Sequence, residues 1–323
     1  MSELLSGGED ARLKYLNQSP EAGRPTVAAV MTSFNKCEDV RKNLDSQRAQ
    51  TIKFDQIIVV DNASSDGTQK MIRQDYPEVT FVEMPHPAYG ACETFNIGFS
   101  TAGADFVAIL DDDIILPTDW VEKMLAKFES EPETTGLISS KVVEPNMPDW
   151  YLQHPGVNQE RYMATFRGCA TLAKHSVIRD AGYYDVRFFI YGNERDLSCR
   201  VLNSGFRILQ FPSCVVQHGT PFGMKKGARS LYYHVRNLWL YLFKNVAWTE
   251  VFGFVMGQIS PFGKKKDTET DAVGTIGFFE TVRQTKGGFW VCIKATINAF
   301  LNLPYCLKHR KVCQHEDFRL PTE

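Results

Sequence analysis

The sequence predicts an α/β protein: a mostly parallel central sheet flanked by helices, followed by a C-terminal helical extension. Three observations carry that expectation. Short, nearly continuous apolar runs recur about every 25 to 30 residues between 26 and 110, as parallel strands do when helices cover both faces of a sheet. The stretches between those runs are amphipathic at helical spacing, which makes each repeat a right-handed strand–helix–strand crossover. The chain has 323 residues, 43% of them hydrophobic, enough for one large or two modest cores.

In order, we expect strands over 26–31, 56–60, 79–83 and 105–110, separated by helices over 38–49, 67–76 and 88–101. Beyond 117 the alternation breaks. A helix over 119–128, strands over 136–143 and 162–172, and a short helix over 175–181 come next, then a helix over 194–204 and strands over 207–211 and 214–217. A glycine-rich basic loop, 219–227, leads into an aromatic helix over 231–245. The segment 263–271 (GKKKDTETD) has a linker's composition, and 288–309 resumes a helical pattern. No internal repeat is visible.

Composition narrows the function. The formal charge of -2 argues against a general nucleic-acid binder, but it hides an asymmetry: 21 basic and 30 acidic residues up to His218, then 15 basic and 8 acidic from Gly219 onward. Eight cysteines without a C-x-x-C pair read as free thiols in a reducing, cytoplasmic compartment rather than a zinc site or disulfide framework. The polar, charged N-terminus reads as neither a signal peptide nor an anchor. No run of about 18 uncharged apolar residues is present.

Open parallel sheets bind ligands at the carboxyl ends of their strands. The residues just past each apolar run are Thr32-Ser33-Phe34-Asn35, then Asp61-Asn62-Ala63-Ser64-Ser65-Asp66-Gly67-Thr68, then Asp111-Asp112-Asp113. None is a dinucleotide-binding or P-loop glycine motif, which weakens the dehydrogenase and P-loop readings. Asp111 and Asp113, two apart at a strand end, are expected on one side with Asp112 pointing away. Two such carboxylates suit Mg²⁺ or Mn²⁺, which would bring the diphosphate of a nucleotide ligand with it. A carboxylate at Asp61 can accept a pyrimidine N3–H, and Asp66 is expected to cap the following helix.

The segments VAAVMTSFN, QIIVVDNASSDGT and FVAILDDDI, in that order, resemble the inverting nucleotide-sugar-dependent glycosyltransferases of family two, which have the GT-A fold. RGCATLAKHSVIRDAGYYDVRFFIYGNERDLSCRVLNSGFRI, the strand ending at His218, and YYHVRN extend the resemblance over about 26–242. It implies that Thr32, Phe34 and Asp61, with Asn35 and Asn62 beside them, hold the base, and that Asn96 and Asp112 help hold the nucleotide-sugar. Asp111 and Asp113, with His218, would bind Mn²⁺ or Mg²⁺, and Gly168 would border the substrate. The implied donor is a UDP- or dTDP-sugar, the acceptor a saccharide, lipid-linked in our reading, destined for a cell-surface glycan. DDDI and YYxxRN look similar to rhamnosyl- and galactofuranosyl-transferases. The expected division is a polar arm (1–25), a catalytic domain (26–227, nucleotide-binding half 26–116 and acceptor half 117–227), and a basic aromatic helical region (228–323).

Inverting transfer needs one base for the acceptor hydroxyl. The family has Glu-Asp-x-Asp, with the second carboxylate as base; this chain reads Asn193-Glu194-Arg195-Asp196. At about 100° per residue, Glu194 shares a face with Leu197 and Val201, whereas Asp196 lies on the other side, four residues before Arg200. Glu194 is therefore the expected base and Asp196 structural. Imidazole at His218 favours Mn²⁺ over Mg²⁺. Lys225 and Lys226 either close over the diphosphate or belong to an ordinary surface loop, and Arg236 either pairs with an acid or meets an anionic ligand. Trp290, Ile293, Ile297, Phe300 and Leu301 form an apolar stripe near Lys294, Lys308, Arg310 and Lys311, suited equally to anionic lipid or to packing on the catalytic domain. The absence of Q-x-x-R-W and of spanning helices argues against a polymer-extruding synthase. The alternatives are a sugar nucleotidyltransferase, which wants a glycine-rich basic loop after the first strand, and a catalytically inactive saccharide- or membrane-binding module.

Overall fold

The computed structural model describes residues 23–259 and 278–320. The expected linker at 263–271 and most of the N-terminal arm lie outside them. The first half follows the predicted alternation: β1 (Val27–Ser33), α1 (Cys37–Arg48), β2 (Gln56–Asp61), α2 (Thr68–Asp75), β3 (Thr80–Glu83), α3 (Ala91–Thr101) and β4 (Phe106–Leu110). β1 pairs in parallel with both β2 and β4, and β3 extends the sheet beyond β2. β1 and β4 are wholly buried but for Thr32, because apolar layers cover both faces. Gly98 allows α3 to lie tightly on the sheet: a Cβ there would come within 2.4 Å of Val30 Cγ1.

The second half adds β5 (Ile114–Ile115), α4 (Trp120–Ser130), β6 (Thr135–Val143), α5 (Asp149–Leu152), α6 (Pro155–Asn158), β7 (Arg161–Tyr162), β8 (Ala170–Lys174), α7 (His175–Asp180), α8 (Asn193–Asn203) and β9 (Arg207–His218). The sheet order is β3-β2-β1-β4-β8-β6-β9-β5, with β7 on β9. β8 runs antiparallel to both β4 and β6, so the sheet is mixed beyond β4. Two strand expectations change. The run 162–172 is two separate strands, because the segment between them leaves the sheet to line a cavity. The runs 207–211 and 214–217 are one strand, whose register on β6 shifts between Phe211 and Val215, where Pro212 removes a ladder donor.

The C-terminal helices are α9 (Ala228–Asn245), α10 (Trp248–Ile259), α11 (Phe278–Gln284), α12 (Gly288–Leu301) and α13 (Leu303–Lys308). They share a core with the sheet: Leu240, Leu242, Ala299 and Cys306 belong to the same apolar cluster as Val30 and Ile109. Among the described residues, no helix is long and apolar enough to cross a membrane.

Candidate active site

The site forms where the ends of β4 and β9 meet. β5 pairs antiparallel with the end of β9, Ile114 opposite His218, and the Gly219 N–H donates to the Asp113 carbonyl at 2.7 Å. This brings a sequence-distant histidine onto the aspartate triplet. His218 Nε2 lies 3.0 Å from Asp113 Oδ1 and 3.6 Å from Asp111 Oδ2, while its Nδ1 is 2.8 Å from Glu144 Oε1. One ligand atom from each of Asp111, Asp113 and His218 falls within 4.8 Å of the others. Two carboxylate oxygens and an imidazole nitrogen fit Mn²⁺, and Glu144 orients the ring from behind as outer-shell carboxylates do.

As expected, Asp111 and Asp113 join the cluster and Asp112 stands outside it; Lys36 Nζ bridges Asp112 and Asp113, at 2.9 Å from each. Thr220 Oγ1 also donates to Asp113 at 2.7 Å. Against the cost of burial, His218 and Lys36 hold Asp113 well below the usual carboxylate range. Burial with neighbouring carboxylates, opposed by His218, pushes Asp111 up to about 7. Burial disfavours charge on His218, but its hydrogen bonds to Asp113 and Glu144 outweigh it and raise its pKa to about 10. Imidazolium and ammonium thus occupy the electrostatic role that suits a divalent cation.

Glu194 opens α8 and faces a cavity of about 330 Å³ with Gly168, Tyr191, Arg167 and Trp150 on its walls. Glu144 lines both this cavity and a second, of about 370 Å³, that holds Asp113 and His218. Glu194 is near enough for its charge to help raise Asp111. Burial raises the pKa of Glu194 itself, opposed by its own N–H, Arg195 and Asn193, whose Nδ2 donates to it at 3.0 Å. A Cβ on Gly168 would lie 2.6 Å from Glu194 Oε1, so that glycine makes room for the carboxylate. The preceding loop is held in strained backbone, with φ of 66° at Phe189 and 65° at Tyr191. Asn237 Nδ2, 2.8 Å from the carbonyls of Phe188, Ile190 and Tyr191, fixes it.

Asp196 is wholly buried and bound by Arg200 at 2.9 Å, Lys244 at 2.7 Å and Asn245 at 3.0 Å; against burial, Arg200 and Lys244 keep it ionised below its ordinary value. It is not free to take a proton from substrate.

The expected base-binding residues cluster at the ends of β1 and β2. Thr32 is half-buried, and the Phe34 ring is exposed. Asp61 is fully buried and accepts from Ser33 Oγ, the Ser64 N–H and Gln69 Nε2. Asn35 takes a left-handed φ of 52° and accepts from the Ser65 N–H, and Asn62 donates to the Tyr89 carbonyl. Asp66 ties two helix starts together, accepting from the Cys37 and Thr68 N–H groups. Asn96 is engaged at both ends of its amide by the Tyr184 backbone. Lys225 and Lys226 are exposed, Lys226 lying 3.6 Å from Glu280.

Arg236 corrects an expectation. It meets neither an acid nor the cavity: its guanidinium donates to Asn298 Oδ1, the Arg187 carbonyl and Asn237 Oδ1, strapping α9 to α12 and to the turn before α8. Two residues went unread. Lys36 follows Asn35 past β1, and Glu144 directly follows β6; reading every strand end, including this one, would have found both.

A nucleotide-type parallel half, a carboxylate–histidine cluster at the strand ends and Glu194 in the adjoining cavity together define a glycosyltransferase of the GT-A fold. The Glycosyl transferase family 2 profile matches residues 28–190, and the chain belongs to that family. It is 24% identical over 187 residues to a poly-beta-1,6-N-acetyl-D-glucosamine synthase of Staphylococcus aureus, covering 53% of this chain and 45% of that one. The chain thus spans less than half the length of that relative. A mannosyltransferase from Pyrobaculum calidifontis, solved with GDP-Man and Mn²⁺, superposes with a TM-score of 0.55 at 19% identity over 95% of this chain and 82% of that one. Residues 1–349 of TarS from S. aureus, solved with UDP, give 0.55 at 12% identity over 86% and 83%. At these identities the two structures show the fold. None of the three is a rhamnosyl- or galactofuranosyl-transferase by name, so they support the family and not that finer resemblance.

Proposed function

We propose that the chain is a metal-dependent inverting transferase that moves a sugar from a nucleoside diphosphate donor to a saccharide hydroxyl, on a lipid-linked acceptor, in cell-surface polysaccharide synthesis. The observation that carries this reading is the pairing of Glu194, half-buried and raised in pKa at a cavity wall, with the Asp111–Asp113–His218 cluster across Glu144. Glu194 takes the acceptor's hydroxyl proton as that oxygen bonds to the anomeric carbon, and the carbon–oxygen bond to the diphosphate breaks on the opposite face. A base so placed contributes about 10²- to 10⁴-fold. Mn²⁺ or Mg²⁺ held by Asp111, Asp113 and His218 would neutralise the departing diphosphate. Thr32, Phe34 and Asp61 would receive the base, with Asn35 and Asn62 shaping that end, and Lys36 would keep Asp112 and Asp113 in position.

The names of the relatives support polysaccharide synthesis and the donor class: a polymer synthase, and structures holding UDP and GDP-Man. In this reading 26–227 is the catalytic unit and 228–323 a module on its flank. The eight cysteines are all unpaired thiols, consistent with work on the cytoplasmic side, where thiols stay reduced.

The test is release of nucleoside diphosphate from a panel of UDP-, dTDP- and GDP-sugars with Mn²⁺, with the product anomer read by NMR. Release from one donor with inverted configuration is the expected result. Retained configuration would remove the single-base mechanism. Pyrophosphate release from a nucleoside triphosphate and sugar phosphate would make it a nucleotidyltransferase, and no release from any donor would leave a binding module.

A further inference from the structure

α12 is packed inside out. Its buried residues are Gly288, Ala295 and Ala299, while Phe289, Trp290, Ile297, Phe300 and Leu301 are 51–74% exposed. At about 100° per residue, the three small residues share one narrow face, and the large apolar ones, with Ile293, fill an arc of roughly 120° opposite it. A helix on a water-facing surface normally does the reverse. The inward glycine and alanines suit close approach to α9; of the bulky side chains, Phe300 packs edge-on against Phe243 of α9, while Phe289, Trp290, Ile297 and Leu301 stay 55–74% exposed. α10 adds a second stripe of exposed Trp248, Phe252 and Met256, and α11 adds Phe279.

Charge identifies what this face meets. Residues 278–313 hold six Lys and Arg against one acid, Glu280. Arg310 is engaged by the carbonyls of Phe243 and Val246, but Arg283, Lys286, Lys294, Lys308 and Lys311 are exposed, and none forms an ion pair with a described residue. Lys294 lies at the edge of the apolar arc. Lysine is depleted from protein–protein interfaces, whereas an apolar face edged by unpaired lysines is the chemistry of a helix lying in an anionic headgroup layer. With 14 residues, α12 is too short to span a bilayer and long enough to lie in its surface.

We propose that α12, flanked by α10 and α11, is a membrane-docking surface that inserts Phe289, Trp290, Ile297 and Leu301 at the acyl boundary of an anionic bilayer, with the lysines on its headgroups. The surface would hold the cavity of Glu194 close to a lipid-anchored acceptor, but it stands on observations independent of the transfer reaction.

The experiment is flotation of the full chain with phosphatidylcholine vesicles, with and without about one-third phosphatidylglycerol. The chain should float with the anionic vesicles, less so at high salt. The variant Phe289→Ser/Trp290→Ser/Ile297→Ser/Leu301→Ser should bind at least ~10-fold more weakly, and Lys286→Glu/Lys294→Glu should lose the preference for anionic lipid. Both should melt within a few degrees of the parent, because the side chains altered are exposed. Failure of the parent to float with either vesicle, or equal flotation of the apolar variant, overturns the proposal. So does a parent dimer in light scattering that the apolar variant converts to monomer without any flotation, which would make the face a contact between two copies. Nucleoside diphosphate release measured without vesicles should be the same for all variants, so this test and that of the transfer reaction fail separately.

Discussion

The strand-end cleft and the C-terminal helical layer handle their awkward groups in opposite ways. In the cleft, charges drawn out of water answer one another: Lys36 lies on Asp112 and Asp113, and His218 between Asp113 and Glu144. In the layer, Phe289, Trp290, Ile297 and Leu301 of α12 are more than half exposed, and the exposed Arg283, Lys286, Lys294, Lys308 and Lys311 form no ion pair with a described residue. A buried charge is costly unless paired, so each of these charges in the cleft is answered within the chain. Exposed Trp and Phe on one helix face imply completion from outside it.

The largest effects are expected at two neighbours on α8. Glu194→Gln should lower kcat by about 10²- to 10⁴-fold while leaving nucleoside diphosphate affinity and melting temperature unchanged. Asp196→Asn should act on the fold, costing about 3–5 kcal/mol in denaturant unfolding because Lys244 and Arg200 lose their countercharge. Intact stability with abolished turnover in Asp196→Asn would exchange the two roles.

Next in size is Gly168→Ala. The atoms nearest the new methyl are Oε1, Cδ and Cγ of the Glu194 side chain, which can swing aside, so the protein should fold normally while the displaced carboxylate lowers kcat about 10²-fold. Unchanged steady-state rates would show that Glu194 need not stand where it does.

The smallest effect is in the pH dependence of stability. His218, raised to about 10, contributes fully below its unfolded value near 6.5 and loses that contribution as pH rises through 10. Asp111, raised to about 7, likewise favours the fold when protonated and stops doing so as pH rises from about 4 through 7. Stability of the metal-free protein should therefore fall with rising pH across this span. Mn²⁺ competes with those protons, so its stabilising shift should be larger at pH 8.5 than at pH 5.5 in scanning fluorimetry. A shift independent of pH would place the ion elsewhere.

Legibility in the sequence followed the range of the interactions. The parallel half was readable because each strand and helix there satisfies its own period, and the triplet after β4 because the strand-end rule is local. Asp196 was readable through Arg200 four residues on, but its second cation, Lys244, comes from α9 and left no local trace. Arg236 read as a cation awaiting either an acid or an anionic ligand because its partners, Asn298 and the Arg187 carbonyl, are distant in sequence. The two runs around Pro212 looked like separate strands because a bulge interrupts periodicity without ending the ladder. The apolar stripe of α12 was visible, but its outward direction depends on which face α9 takes.

Transfer as proposed requires a divalent ion at Asp111, Asp113 and His218 to carry the diphosphate. Calorimetric titration of UDP, dTDP and GDP into the chain, with Mn²⁺ and then with EDTA, tests it most directly, repeated on Asp113→Asn and His218→Ala. One nucleoside diphosphate should bind tightly only with Mn²⁺, and both variants should lose that Mn²⁺ dependence. Equal affinity in EDTA, or full Mn²⁺-dependent binding by the variants, would contradict that requirement.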